Sequence, residues 1–259
     1  MAEIVIVPDR ATGGELGARI VWEYVDAATA PVLGVATGST PESLYLAMAR
    51  TRASRDLAEL QAFALDEYVG LPSGHRESYR EVLRREIVEP LGLDPARVHV
   101  PSVEPALLPR TGEHYEEAIA AAGGVGLQIL GIGSDGHVGF NEPGSSLASR
   151  TRVKTLTEQT RRDNARFFGP VEEVPRHSVT QGLGTIRDAG HLLLLAFGAQ
   201  KASAVAAALE GPLSAAVPAT IVQLHPHVTV ILDEDAAGAL AHTRYYRDVE
   251  RFKPEWQGW

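Results

Sequence analysis

Seven short apolar runs punctuate the chain: Ile4–Val7, Val32–Ala36, Leu60–Leu65, Val98–Val100, Leu127–Ile132, Leu192–Phe197 and Val228–Leu232. Each is too short for a helix and too continuous for a strand with one solvated face. Strands covered on both sides look like this, so the pattern predicts an α/β fold, an open and mostly parallel sheet with helices on both faces. Amphipathic stretches between the runs predict helices at Gly14–Ala28, Pro41–Arg50, Arg76–Val88, Thr111–Ala121 and Gln200–Leu209, the second opening on Thr40-Pro41, a cap residue followed by a proline at the first helical position. No internal repeat or low-complexity segment interrupts the pattern. From Gly139 to Gly190 nothing reads as a strand, and a piece that long inside a compact fold predicts a helical lid, placed at about residues 155–185. Residues 1–259 are read as a single domain.

Composition narrows the function classes. With 24 Lys and Arg against 33 Asp and Glu, the formal charge is −9, which argues against nucleic acid or an anionic membrane as the main partner. The absence of cysteine excludes disulfides, thiolate nucleophiles and sulfur-bound metal. The start of the chain, Met1 to Pro8, has neither the basic flank nor the long apolar stretch of a signal peptide, and no run approaches the ~18 apolar residues of a membrane span. A cytoplasmic protein is expected.

Three segments could carry chemistry. Gly38-Ser39-Thr40-Pro41 follows one strand and precedes a helix, so free backbone N–H groups and the helix dipole there could hold a phosphate; an ordinary capped turn would read the same. Leu65-Asp66-Glu67-Tyr68 places two carboxylates at a strand end, and alternation along an extended chain allows only one of them to face a cleft. The third segment runs from Gly131 through Gly133-Ser134-Asp135-Gly136-His137 to Asn141-Glu142-Pro143. Its glycines formally spell a dinucleotide fingerprint, but Asp135 would repel a pyrophosphate, and Gly139 and Pro143 prevent the required helix. What remains is a histidine between two carboxylates. Such a group moves protons when one carboxylate fixes its tautomer; a satisfied structural histidine and a metal site of Asp135, His137 and Glu142 are the competing readings.

Taken together, Ala36 to Pro41, Leu65 to Leu71 and Gly131 to Pro143 resemble the glucosamine-6-phosphate deaminase family, and the similarity continues through Ser145 to Arg152, Gly198 to Ala202 and Leu224-His225-Pro226. The related 6-phosphogluconolactonases share the Asp-Gly-His segment but not the Phe140-Asn141-Glu142-Pro143 that follows it here. The resemblance implies a Rossmann-like sheet of the sugar-phosphate isomerase/deaminase type. It also implies conversion of glucosamine 6-phosphate and water into fructose 6-phosphate and ammonia, without metal or organic cofactor.

Carried over residue by residue, the resemblance makes His137, oriented by Asp135 and Glu142, the acid–base group for ring opening, and Asp66 the base that shuttles the proton from carbon 2 to carbon 1. Gly38, Ser39, Thr40, Arg166 and Lys201 would hold the phosphate. Arg161 and Arg162, beside Arg166, read instead as solvated surface charges. The resemblance further implies a homo-oligomer activated by N-acetylglucosamine 6-phosphate through Ser145, Ser146, Arg152, Lys154 and Thr155, with Tyr245 or Tyr246 as a further contact. Galactosamine-6-phosphate deamination leaves the same chemistry intact and stays open; a 6-phosphogluconolactonase or a non-catalytic sugar-phosphate sensor is further from the pattern.

Overall fold

The structure, a computed structural model, describes residues 2–254 and 256–259. Along the chain come β1 (Glu3–Val7), α1 (Arg10–Ala27), β2 (Val32–Val35), α2 (Glu42–Thr51), β3 (Gln61–Ala64), β4 (Asp66–Val69), α3 (Tyr79–Leu83), a π-helical turn (Arg84–Val88), α4 (Glu89–Leu91), β5 (Val98–His99), α5 (Thr111–Ala121) and β6 (Leu127–Leu130). Then follow β7 (Arg152–Thr155), α6 (Glu158–Phe168), β8 (His177–Thr180), α7 (Leu183–Arg187), β9 (His191–Ala196), α8 (Ala202–Leu209), β10 (Val228–Asp233) and α9 (Thr243–Arg251).

The expected parallel sheet is present. It has seven strands in the order β1-β10-β9-β6-β2-β3-β5, every neighbouring pair parallel. Alternate residues of its strands feed two cores. Ile4, Ile6, Val32, Phe63, Leu192 and Leu194 pack on one face. Val5, Val7, Leu33, Val35, Leu193 and Leu195 pack on the other. Burial on both faces is why these strands read as unbroken apolar runs.

The strand order also fixes where a ligand can enter. From β2 the chain moves outward to β3 and β5, then returns to β6 on the other side of β2. The loops leaving β2 and β6 therefore diverge and open a crevice at the carboxyl edge of the sheet. They flank it closely, since a Cβ built on Gly131 would lie 3.8 Å from Thr40 Cβ.

Three expectations need correction. The stretch from Gly139 to Gly190 is not strand-free: β7 and β8 lie in it and pair antiparallel with each other, and β8 pairs with β4, giving a second sheet in the order β4-β8-β7. In the 155–185 segment the helical form expected of a lid is confined to α6, the short turn Val171–Glu173 and the start of α7, with β8 between them. The second helix begins at Glu42 with Pro41 at its cap position, and Thr40 makes no side-chain capping bond. Other boundaries shift at the caps: α1 starts earlier because Asp9 accepts from Thr12 N–H at 2.8 Å, and α3 starts at Tyr79 behind the Ser78 cap. Among the described residues no helix is long and apolar enough to cross a membrane.

Candidate active site

A cavity of about 570 Å³ opens at the crevice, and residues from all three suspected segments line it. Gly38, Ser39 and Thr40 form one wall; Gly38 has a φ of 100°, a left-handed turn that a side chain would strain. Arg10 reaches the same wall, donating from Nη1 to the Ser39 carbonyl at 2.9 Å. Nothing in the sequence around Arg10 marks it, because only the fold brings the start of α1 to the β2 loop.

Asp66 stands where the two sheets meet. Leu65 N–H donates to Val35 O at 2.9 Å within the large sheet, and Leu65 O accepts from Gln181 N–H at 2.7 Å; from Asp66 onward the chain belongs to the small sheet. The alternation expected for the paired acids holds. Asp66, 5% exposed, lines the cavity. Glu67 points away, where its carboxylate accepts from the N–H groups of Tyr68, Tyr79 and Arg80 at 2.7, 2.9 and 3.0 Å and caps α3. Burial, and secondarily the charge of Glu67, push the Asp66 carboxyl well above the usual carboxylate range. A carboxylate raised toward neutrality is matched to taking and returning a proton.

The loop after β6 carries the histidine. His137 Nδ1 lies 2.7 Å from Asp135 Oδ1, a close approach that is not aligned as a hydrogen bond. Asp135 Oδ1 also accepts from His137 N–H at 3.1 Å. Despite the burial penalty, these contacts hold Asp135 below the usual carboxylate range. Gly133 is required beside it, since a Cβ there would come within 2.3 Å of the imidazole. Glu142, 3% exposed, accepts from Thr157 N–H at 3.1 Å through Oε1, while its buried Oε2 has no partner.

Asp135, His137 and Glu142 bring their ligand atoms within 4.8 Å of one another, so a metal ion could be held here. Against this stands Lys201, whose ammonium lies close enough to Asp135 to sense its charge and would oppose a second cation. The same trio without an ion has the chemistry to take up and release a proton.

Lys201 and Arg166 both line the cavity and face each other: burial first, then the Arg166 charge, lowers the Lys201 ammonium. The carboxylates of Asp163 and Asp135 act on Lys201 in the opposite sense, and two cations held this close in one cavity can receive an anion. Arg161 is more than a solvated charge; it donates to Val174 O at 3.1 Å and Val171 O at 2.7 Å, tying α6 to the following turn. Among the described residues Arg162 pairs with Glu158 alone, as a surface charge would. Sequence reasoning missed Tyr68, Tyr79 and Asn164, which also line the cavity; Asn164 of α6 donates to Tyr68 Oη at 3.0 Å and latches the helix to β4.

The residues expected to bind an activator do not line this cavity. Ser145 is 3% exposed, Ser146 Oγ accepts from Ala148 N–H at 3.3 Å, and Tyr246 Oη donates to Glu210 at 3.0 Å. Arg152 and Lys154 share one face of β7 by strand period, while Thr155 points to the other. Tyr245 packs against Tyr246, ring centroids 5.9 Å apart.

Fold and site together define an α/β protein with an anion-receptive cleft and acid–base groups at the carboxyl ends of parallel strands. The chain belongs to the family described as glucosamine-6-phosphate isomerases/6-phosphogluconolactonase, whose model matches residues 14–231. It is 53% identical over the full length of both chains to a glucosamine-6-phosphate deaminase of Bifidobacterium longum subsp. infantis. A glucosamine-6-phosphate deaminase of Streptomyces coelicolor is 54% identical, with 99% of each chain covered. Among solved structures, a monomeric glucosamine-6-phosphate deaminase at 36% identity superposes with a TM-score of 0.89 over 92% of this chain and 100% of that one. A 6-phosphogluconolactonase from Trypanosoma brucei, 22% identical with a TM-score of 0.75 over 93% and 99% of the two chains, shares the fold.

Proposed function

We propose that this chain is a glucosamine-6-phosphate deaminase, an enzyme acting on a sugar phosphate, and that the residues assembled above divide its chemistry. The observation that carries the division is the convergence of Asp66, His137 with its neighbour Asp135, and the Arg166–Lys201 pair, with Asp66, His137, Arg166 and Lys201 all lining one cavity. The phosphate is received by Arg166, Lys201 and the Gly38–Thr40 turn. His137, oriented by Asp135 with Glu142 nearby, moves the ring-oxygen proton as the sugar opens. The new carbonyl at carbon 1 acidifies carbon 2, where Asp66 takes the proton and returns it to carbon 1. Water then replaces the amine at carbon 2, and ammonia leaves. Each acid–base step of this kind is worth roughly 10²–10⁴ in rate. None of these steps calls for a cofactor.

We place this chemistry in one domain, with α6 as the part of the lid that closes over the sugar; Asn164 and Arg166 on that helix support the reading. A cytoplasmic homo-oligomer activated by N-acetylglucosamine 6-phosphate is the finer expectation from the family resemblance. The monomeric relative and the inward engagement of Arg152 with Asn141 weigh against that activator site here. Light scattering, with substrate saturation measured with and without the acetylated sugar, decides it: an oligomer whose sigmoid curve sharpens in affinity supports activation, and a hyperbola unmoved by the sugar removes it.

The test of the function is release of ammonia and ketose phosphate from glucosamine 6-phosphate, with galactosamine 6-phosphate in parallel. Release from the gluco compound is expected. Release only from the galacto epimer would reassign the substrate, and release from neither would overturn the proposal.

A further inference from the structure

Asn141 is completely buried between the histidine and the glutamate of the catalytic loop, and its carboxamide is fully used. Nδ2 donates to Val138 O at 2.9 Å and Gln181 O at 2.8 Å, while Oδ1 accepts from Arg152 Nη1 at 2.7 Å. The reverse orientation of the amide would set its oxygen against two carbonyls, so the network fixes which end faces the guanidinium.

Arg152 makes this bond from β7. It sits opposite Thr180 of β8, and Thr180 sits opposite Asp66 of β4, so the three occupy one cross-strand row. Thr180 Oγ1 in turn accepts from Phe140 N–H at 3.1 Å. The loop bearing His137 and Glu142 is thereby fastened to β8 and β7 at three neighbouring points, Thr180, Gln181 and Arg152, and through the β8 pairing to the strand bearing Asp66. Of these only Arg152 brings a charge, and no carboxylate among the described residues forms an ion pair with it. Its other bond is a 3.4 Å donation to Arg150 O. Half-burying an unpaired guanidinium carries a desolvation cost that an apolar residue of similar length would avoid.

We propose that Arg152 is a positioning residue for the deamination: through Asn141 it holds the His137–Glu142 loop in register with Asp66. The inference rests on the deaminase reading above. A proton shuttle between groups on two separate elements tolerates little misplacement, and a shift of about 1 Å can cost ~100-fold in rate.

The experiment compares the parent with Arg152→Met, which keeps the stem and removes the donors, and with Arg152→Lys, which restores one charged donor. Three quantities are read: kcat and KM for glucosamine 6-phosphate, the pH profile of kcat/KM, and backbone hydrogen–deuterium exchange across residues 137–142. For Arg152→Met we expect kcat lower by about 10- to 100-fold with KM within a few-fold. We also expect a displaced pH profile and faster exchange confined to the loop, with Arg152→Lys recovering part of each. Parent-like kcat and parent-like loop exchange in Arg152→Met would overturn the inference, as would a loss that merely tracks the folded fraction. If the parent itself releases no ammonia, the deaminase reading fails instead; the exchange measurement still tests whether Arg152 holds the loop.

Discussion

The two sheets divide the labour of this molecule. The seven-stranded sheet is apolar through its thickness: β9 (His191–Ala196) is buried at every position, and so are β2 and β6. The three-stranded sheet is built from Asp66-Glu67-Tyr68-Val69, Arg152-Val153-Lys154-Thr155 and His177-Ser178-Val179-Thr180, strands in which polar and charged residues predominate. Apolar burial holds the first; in the second a small apolar cluster of Tyr68, Phe140, Leu156 and Val174 is joined by backbone pairing, the Glu67 cap and the Asn141 network. Stability and chemistry are therefore expected to respond to different substitutions.

The largest effect falls on activity. His137→Gln removes the group that carries the ring proton, and turnover of glucosamine 6-phosphate should drop by roughly 10²–10⁴. Glu142→Gln should lose less, about tenfold, since Asp135 rather than Glu142 makes the close contact with the imidazole. Steady-state ammonia release beside a thermal melt checks both; equal activity of Glu142→Gln and the parent would show that Asp135 alone sets the histidine. In the large sheet, Leu194→Ala leaves a cavity at a side chain only 1% exposed and should cost about 2–5 kcal/mol in denaturant unfolding. The folded fraction should keep the parent's kcat. A Leu194→Ala protein that is stable but slow would break the division.

Smaller effects sharpen the comparison. Lys201→Met removes a charge-assisted bond to the phosphate worth about 1.5–3 kcal/mol, so KM should rise roughly 10- to 100-fold in initial-rate assays. The smallest effect concerns Glu86, in the π-helical turn beside the cavity, whose carboxyl is pushed up to about 7, first by burial and then by Glu42. Between its unfolded value near 4.5 and about 7, the folded protein keeps a proton that the unfolded chain has released, so stability falls as pH rises through that window. Glu86→Gln should melt with the parent at pH near 4.5 and above it at pH 8, by about 2–4 °C. Parallel melting curves at both pH values would remove Glu86 from the account.

What was legible in the sequence follows the same line. Strands buried on both faces leave continuous apolar runs, so all seven strands of the large sheet were found from pattern alone. β7 and β8 were not, because Arg152, Lys154, His177 and Ser178 interrupt any apolar run, and their pairing is with distant segments. The site residues were legible where glycine and acid–base side chains crowd one loop, as at Gly131–Glu142. The facing of Asp66 rather than Glu67 toward the cleft was legible only through the family resemblance, since in the residue pattern it depends on the sheet change at Leu65. The inward role of Arg152 was not legible: its partner Asn141 is a neighbour in space through the β8 pairing, not through any spacing along the chain.

The division stands or falls most directly on Asp66, the residue at the seam of the two sheets. Asp66→Asn keeps the shape of the side chain, cannot accept the proton, and relieves a buried carboxyl already pushed well above its usual range. Binding of glucosamine 6-phosphate by calorimetry and single-turnover ammonia release should be measured on the same preparation. The expected result is a Kd within a few-fold of the parent, a melting temperature equal or higher, and ammonia release slowed by at least about 100-fold. Ammonia release within a few-fold of the parent would contradict the assignment of proton transfer to the small sheet.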